Sequence, residues 1–244
     1  MLVLAAATLA GCGLVEDQPT DPTPTPTFSN LLANPGFEAG ADPWLAPPGP
    51  NPQPFAVVED IARSGASSLE LQLDSEAAAS PAAVAGALQT LSSGAAFPEF
   101  ASGFVRFSEW DQSDPPQFAE FVVTVRGGDF GDGVTSHEVR FALAGLPEEP
   151  LMPAGSRFLF LNRDEPEDFD EWVYFGYPVR DAFQGRLGRV PTTWESIEFS
   201  LQLRYFPRAD GAAPSRATLY FDDLYVGTQI DDINSPLDDV LPDS

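Results

Sequence analysis

The strongest constraint on this chain is a period of two. Short runs of alternating apolar and polar residues recur along its middle, among them Phe104-Val105-Arg106-Phe107, Phe121-Val122-Val123-Thr124-Val125 and Ile197-Glu198-Phe199-Ser200-Leu201-Gln202-Leu203. Successive side chains of an extended strand point to opposite faces, so such alternation makes one face of a sheet apolar and commits it to burial. The spacing predicts strands near 55–60, 67–73, 86–92, 100–108, 118–126, 137–144, 157–162, 171–176, 194–206 and 216–226. Turn-forming clusters fall between them: Pro47-Pro48-Gly49-Pro50, the stretch from Gly127 to Gly133, and Asp210-Gly211-Ala212-Ala213-Pro214. Only Glu76–Gly86 has the alanine content for a helical turn, and Pro81 interrupts it. Many short strands, turn punctuation and no internal repeat predict an all-β fold, a two-sheet antiparallel β-sandwich.

The two ends follow other patterns. Leu2–Ala10 is apolar but shorter than the roughly 20 residues a membrane-spanning helix needs, and Leu9-Ala10-Gly11-Cys12 matches a bacterial lipobox. Residues 1–12 therefore read as a lipoprotein signal peptide with Cys12 as the acylated residue, carrying chains of the palmitate type. The alternative is an apolar N-terminus with a lone thiol; no Lys or Arg precedes the run. Gly13 after the cysteine, rather than Asp, resembles the outer-membrane sorting signal of Gram-negative bacteria, so the expected localisation is a lipid anchor in the cell envelope at the outer membrane. Residues 13–27 form a Pro/Thr-rich linker that favours extended polyproline geometry. Residues 229–244 form an acidic tail with too little apolar content to pack. Between them, residues 28–228 form one expected domain, in a chain whose 43% hydrophobic content and 19 Phe can supply a single core.

Charge and composition exclude several functions. A formal charge of -25, from 37 acidic residues and 12 basic ones, would repel the phosphates a nucleic-acid binder must neutralise. His137 is the only histidine, which removes His-rich zinc sites and leaves any Ser-His-Asp triad dependent on it alone. Nothing around Ser136-His137-Glu138 resembles a nucleophile motif, and Cys12 is consumed if it is acylated. Carboxylate pairs are abundant, but none has the context of a glycosidase dyad. The expected protein is not an enzyme.

Three segments carry a family resemblance: Asn30-Leu31-Leu32-Ala33-Asn34-Pro35-Gly36-Phe37-Glu38 with Trp44 after it, Ala62-Arg63-Ser64-Gly65-Ala66-Ser67-Ser68-Leu69-Glu70-Leu71, and Ala217-Thr218-Leu219-Tyr220-Phe221-Asp222-Asp223-Leu224-Tyr225-Val226. They resemble the opening strand, the turn-and-strand and the closing strand of galactose-binding-like jelly-roll domains, above all the carbohydrate-binding modules attached to xylanases and glucanases. The resemblance implies a jelly-roll sandwich with its first and last strands side by side. It also implies a structural calcium held by the Glu38 and Asp222 side chains, with carbonyls around Gly36 and Ser64 as further ligands. Calcium takes about six to eight oxygen ligands, which suits such a set; the alternative is that both carboxylates are solvated at strand ends. Trp44 and Trp194 match positions where the family packs an aromatic against the sandwich.

Sugar recognition needs flat aromatic surface for pyranose faces and polar side chains for hydroxyls. Trp110, Trp172, Tyr174 and Tyr177 are the aromatic candidates, with Arg106 and Gln112 as polar partners; Trp172 and Tyr174 share one face of a predicted strand. Each aromatic can instead be a core or edge residue. The acidic run from Asp164 to Glu171 reads as a solvated loop or a second calcium site. The leading expectation is a non-catalytic envelope lipoprotein that binds a glycan or polysaccharide, a neutral one given the acidic surface, touching the membrane through its lipid anchor only. The alternative is a structural or protein-protein interaction module of the cell envelope, with an envelope protein as partner.

Overall fold

The computed structural model describes residues 29–75, 82–91, 94–111, 117–207 and 215–228. Among them run the strands β1 Pro52–Gln53, β2 Phe55–Val58, β3 Ser68–Ser75, β4 Ala83–Thr90, β5 Phe100–Asp111, β6 Gln117–Arg126, β7 Ser136–Ala144, β8 Ser156–Phe160 and β9 Trp172–Pro178. The helix α1 Val179–Leu187 follows, then β10 Ser196–Tyr205 and β11 Ser215–Gly227. Each predicted strand span carries a strand. Lipobox, linker and acidic tail lie outside the described residues.

The alternating apolar residues are buried, although the other face is covered too in the middle strands, where Ser200 and Gln202 of β10 and Glu120 and Thr124 of β6 are also buried. On β10, Ile197, Phe199, Leu201, Leu203 and Tyr205 are buried, while Glu198 and Arg204 stay partly exposed. One sheet has the order β1-β4-β10-β6-β7-β8 and the other β2-β3-β11-β5-β9. The chain passes between the sheets at β1–β2, β3–β4, β4–β5 and β5–β6, and again at β8–β9, β9–β10 and β10–β11. This winding makes the fold a two-sheet jelly-roll sandwich. Among the described strands, pairing is antiparallel except at two outer strands, β1 on β4 and β8 on β7, which are parallel. The long 145–155 loop returns the chain to the starting end of β7, as a parallel neighbour requires.

Between the sheets, Phe121 stacks on Phe141 with centroids 4.3 Å apart and meets Phe175 at 5.3 Å and Phe199 at 5.8 Å. Trp44 is buried against Phe37 and Phe199, and Trp194 sits edge-on to Phe97. The expected first strand is reduced to a single bridge, Asn30 to Gly227, because the chain turns repeatedly through 34–43.

The helix α1 was not expected from the sequence. Val179, Ala182 and Phe183 share its buried face, and Gly188 ends it in the left-handed region at φ 79°. It starts at Pro178 without a side-chain cap, so no N-terminal signal marks it.

The turn before β7 is clasped by Asp129. Its Oδ1 accepts from the Thr192 and Thr193 amides at 2.8 and 3.2 Å, and its Oδ2 from Thr192 Oγ1 at 2.8 Å and Arg189 at 3.2 Å. The Thr192 hydroxyl, then the two amides, lower its pKa from 3.8 to about 2. A depressed carboxylate contributes stability above its unfolded pKa and loses it as pH falls through the folded one. The stability advantage of the wild type over Asp129→Asn is therefore expected at pH 5 and should vanish by about pH 2, as read by denaturant unfolding across that range.

Candidate functional site

The sandwich is open along one side, where β8 and β9 are the outer strands of their sheets and residues 161–171 join them. A groove of about 660 Å³ enters there. Val105 and Phe107 of β5, Leu143 of β7, Phe160 of β8, and Val173, Phe175 and Tyr177 of β9 form its apolar lining. Its polar wall is Asn162, Asp164, Glu167 and Asp168, from the connection between β8 and β9. Strand parity sets the floor: 173, 175 and 177 share the inward face of β9, with Phe175 anchored on Phe121 and Phe221 and Tyr177 resting 5.4 Å from Phe141. Val173 remains 39% exposed at the mouth, and Phe169 is 43% exposed.

The sugar-binding candidates separate on this geometry. Tyr177 lines the groove. Trp172 and Tyr174 belong to the outward face of β9, opposite Arg106 and Phe104 of β5. Tyr174 stands edge-on to Phe104 at 5.4 Å and also contributes to the groove lining. Arg106 is paired with Asp170 at 3.1 Å on that outer face. Trp110 packs against the core, edge-on to Phe107 at 5.5 Å. Gln112 lies outside the described residues. The groove's polar wall was missed: its signal was the acidic run, read as a solvated loop or a second ion site.

The Glu38 and Asp222 regions do come together, around the 63–67 loop. Asp222 Oδ2 accepts from the Arg63 and Ser64 amides at 2.8 and 3.1 Å, and Oδ1 from the Asp223 amide at 2.7 Å. Glu38 Oε1 accepts from the Ala66 and Ser67 amides at 2.9 and 3.0 Å. Gly65, at φ 63°, lies so close to Glu38 that a Cβ would overlap its carboxylate. A Cβ on Gly36 would lie 3.5 Å from Asp222 Oδ1 and 4.0 Å from both Asp223 Oδ1 and Glu38 Cγ, which locates three acidic side chains around one backbone turn. Ser64 Oγ donates to Asp223 at 2.6 Å. Arg63 pairs with Asp223 at 2.5 Å and covers the Phe104 ring at 3.4 Å. Asp222 is fully buried, and burial foremost pushes its pKa up against the three amides that favour its charge, with Asp223 adding to the rise. Three carboxylates against one guanidinium leave hard oxygen donors and net negative charge, the chemistry a calcium ion takes. Among the described residues, however, no three His, Cys, Asp or Glu side chains converge as a metal-ligating group.

No family model and no curated protein matches this chain. Among solved structures it is similar to the TmCBM61 carbohydrate-binding module in complex with β-1,4-galactotriose, at TM-score 0.43 and 14% identity, covering 82% of this chain and 99% of that one. It is also similar to the CBM22-1 xylan-binding domain of Paenibacillus barcinonensis Xyn10C, at TM-score 0.40 and 15% identity, covering 84% and 99%. Among the described residues no helix is long and apolar enough to cross a membrane.

Proposed function

We propose that this chain is a non-catalytic, lipid-anchored protein of the bacterial cell envelope that holds a glycan in the groove between β8 and β9. The observation that carries the reading is the groove's two-sided lining, with Tyr177, Val173 and Phe107 on one side and Asn162, Asp164, Glu167 and Asp168 on the other. A pyranose ring has the same division, with C–H groups on its faces and hydroxyls around its edge. At about 660 Å³ the groove falls within the roughly 300–1,000 Å³ of small-ligand sites. Attachment at Cys12 through the 13–27 linker is the expected means of holding it at the outer membrane.

Calorimetry of the full chain against neutral oligosaccharides tests the reading. Saturable binding is expected, and Tyr177→Ala should weaken it about fivefold or more, since truncating a central aromatic anchor costs above ~1 kcal/mol. A folded chain that binds no glycan would move the role to a protein-interaction module of the envelope.

Calcium is the proposed structural ion, with Glu38 and Asp222 as side-chain ligands and the Gly36 and Ser64 carbonyls completing the set. Its part would be to neutralise the buried Asp222 charge and hold residues 30–38 on β11. A ligand at a hundred times its Kd stabilises by about 2.7 kcal/mol, which for a domain of this size raises Tm by roughly 5–10 °C. Such a rise with calcium, reversed by chelator, is expected; a Tm indifferent to both would remove the ion from the account.

A further inference from the structure

The groove's polar wall is dominated by acceptors: three of its four polar side chains are carboxylates, and Asn162 alone brings donors. The carboxylates of Asp164, Glu167 and Asp168 accept and do not donate when ionised, and no Lys, Arg or His is among the groove's lining residues. Arg163, although next to Asp164, is committed elsewhere: it stacks over Phe160 at 4.0 Å and donates to the Pro147 carbonyl at 3.2 Å. Arg106 is held by Asp170 on the outer face of the sheet. Among the described residues none of the three wall carboxylates is ion-paired with a Lys or Arg. Three like charges at one mouth, in a chain of net charge -25, repel one another and concentrate cations there.

A neutral sugar does not complement such a wall fully, because each hydroxyl brings acceptor lone pairs along with its donor. A sugar with a free amino group does better: its ammonium is donor-only and positively charged, while its ring still offers a C–H face to Tyr177 and Val173. We infer that the groove selects glycans whose sugars carry unacetylated amino groups. The inference rests on the glycan-binding reading of the groove and sharpens it from neutral sugars to amino sugars. Charge complementarity favours this occupant, and the apolar lining distinguishes it from a simple cation.

The test is calorimetry of the full chain with three probes: a fully deacetylated β-1,4-linked glucosamine hexamer, its fully N-acetylated counterpart, and a neutral β-1,4-galactose oligomer. The deacetylated hexamer is expected to bind at least tenfold tighter than the acetylated one at low salt, with the ratio shrinking at high ionic strength as exposed charges are screened. In a triple variant, Asp164→Asn with Glu167→Gln and Asp168→Asn, the ratio should fall below about threefold. Tyr177→Ala should weaken saturable binding of the deacetylated hexamer at least as much as it weakens the other oligosaccharides; binding undiminished by it would mean adsorption to the acidic surface and would overturn the inference. So would equal affinities for the two glucosamine hexamers, or a preference undiminished in the triple variant. If the neutral and acetylated oligomers bind as well as the amino sugar, glycan binding stands and only the selectivity falls. If no oligosaccharide binds but a basic, apolar peptide does, both fall together.

Discussion

Replacing Phe121 with alanine should cost about 3–5 kcal/mol, the range for truncating a buried aromatic in a packed core. Phe121 is fully buried at the meeting point of three rings: Phe141 at 4.3 Å from the neighbouring strand, Phe199 at 5.8 Å from the strand on its other side, and Phe175 at 5.3 Å from the opposite sheet. An alanine leaves a cavity that two sheets pinned by their hydrogen-bond ladders cannot close. The consequence reaches the groove, because Phe175 lines it and Tyr177, also in its lining, rests on Phe141. Urea unfolding should show the midpoint falling with an unchanged slope, and glycan affinity should fall with it. A loss below about 1 kcal/mol would mean that the core repacks freely, contrary to the usual behaviour of close-packed interiors. Val173→Ala, at a 39% exposed position, serves as the contrast and should cost well under that.

The second large effect is expected at Asp222. Asp222→Ala should destabilise by about 2–4 kcal/mol, since it leaves the Arg63 and Ser64 amides without the buried oxygen that accepts them, and hydrogen bonds to charged groups contribute about 1.5–3 kcal/mol each. Relief of the buried charge offsets part of this loss, in keeping with the upward shift of its pKa. Asp222→Asn keeps one acceptor oxygen and also removes the charge, so it should cost less than half as much. Hydrogen exchange would locate the effect: residues 63–67 should lose protection in the alanine variant, while β10 keeps it. Unchanged exchange in that loop would contradict the part given to Asp222 in holding its amides.

The strands were readable because side-chain parity is a local property; five or six residues such as Phe121 to Val125 suffice to declare a buried face. The helix α1 was not, because three buried residues among nine, with no capping side chain, look like part of a loop. The groove was hidden for a different reason. It joins residues near 105, 143, 160–168 and 173–177, and only the sheet order brings these together. Tyr177 and Trp172 were therefore equal candidates in sequence, although their odd spacing along β9 sends them to opposite faces. The acidic run from Asp164 reads in sequence as a solvated loop; it becomes a wall only because Pro166 is buried within it and Phe160 lies behind it. Glu38 and Asp222 were recognised as a pair through family resemblance, but the amides of the 63–67 loop that hold them could not be read from the residues alone.

The most direct test of the central claim is a heteronuclear NMR titration of the full chain with an oligosaccharide that binds it. Glycan binding in the groove predicts saturable shift changes confined to Val105, Phe107, 160–168 and 173–177, with Tyr220 and Glu70, which pair with each other across β11 and β3 beside Arg106, unmoved. Changes centred on the outer face around Arg106 and Tyr220, or no saturable changes anywhere, would contradict it.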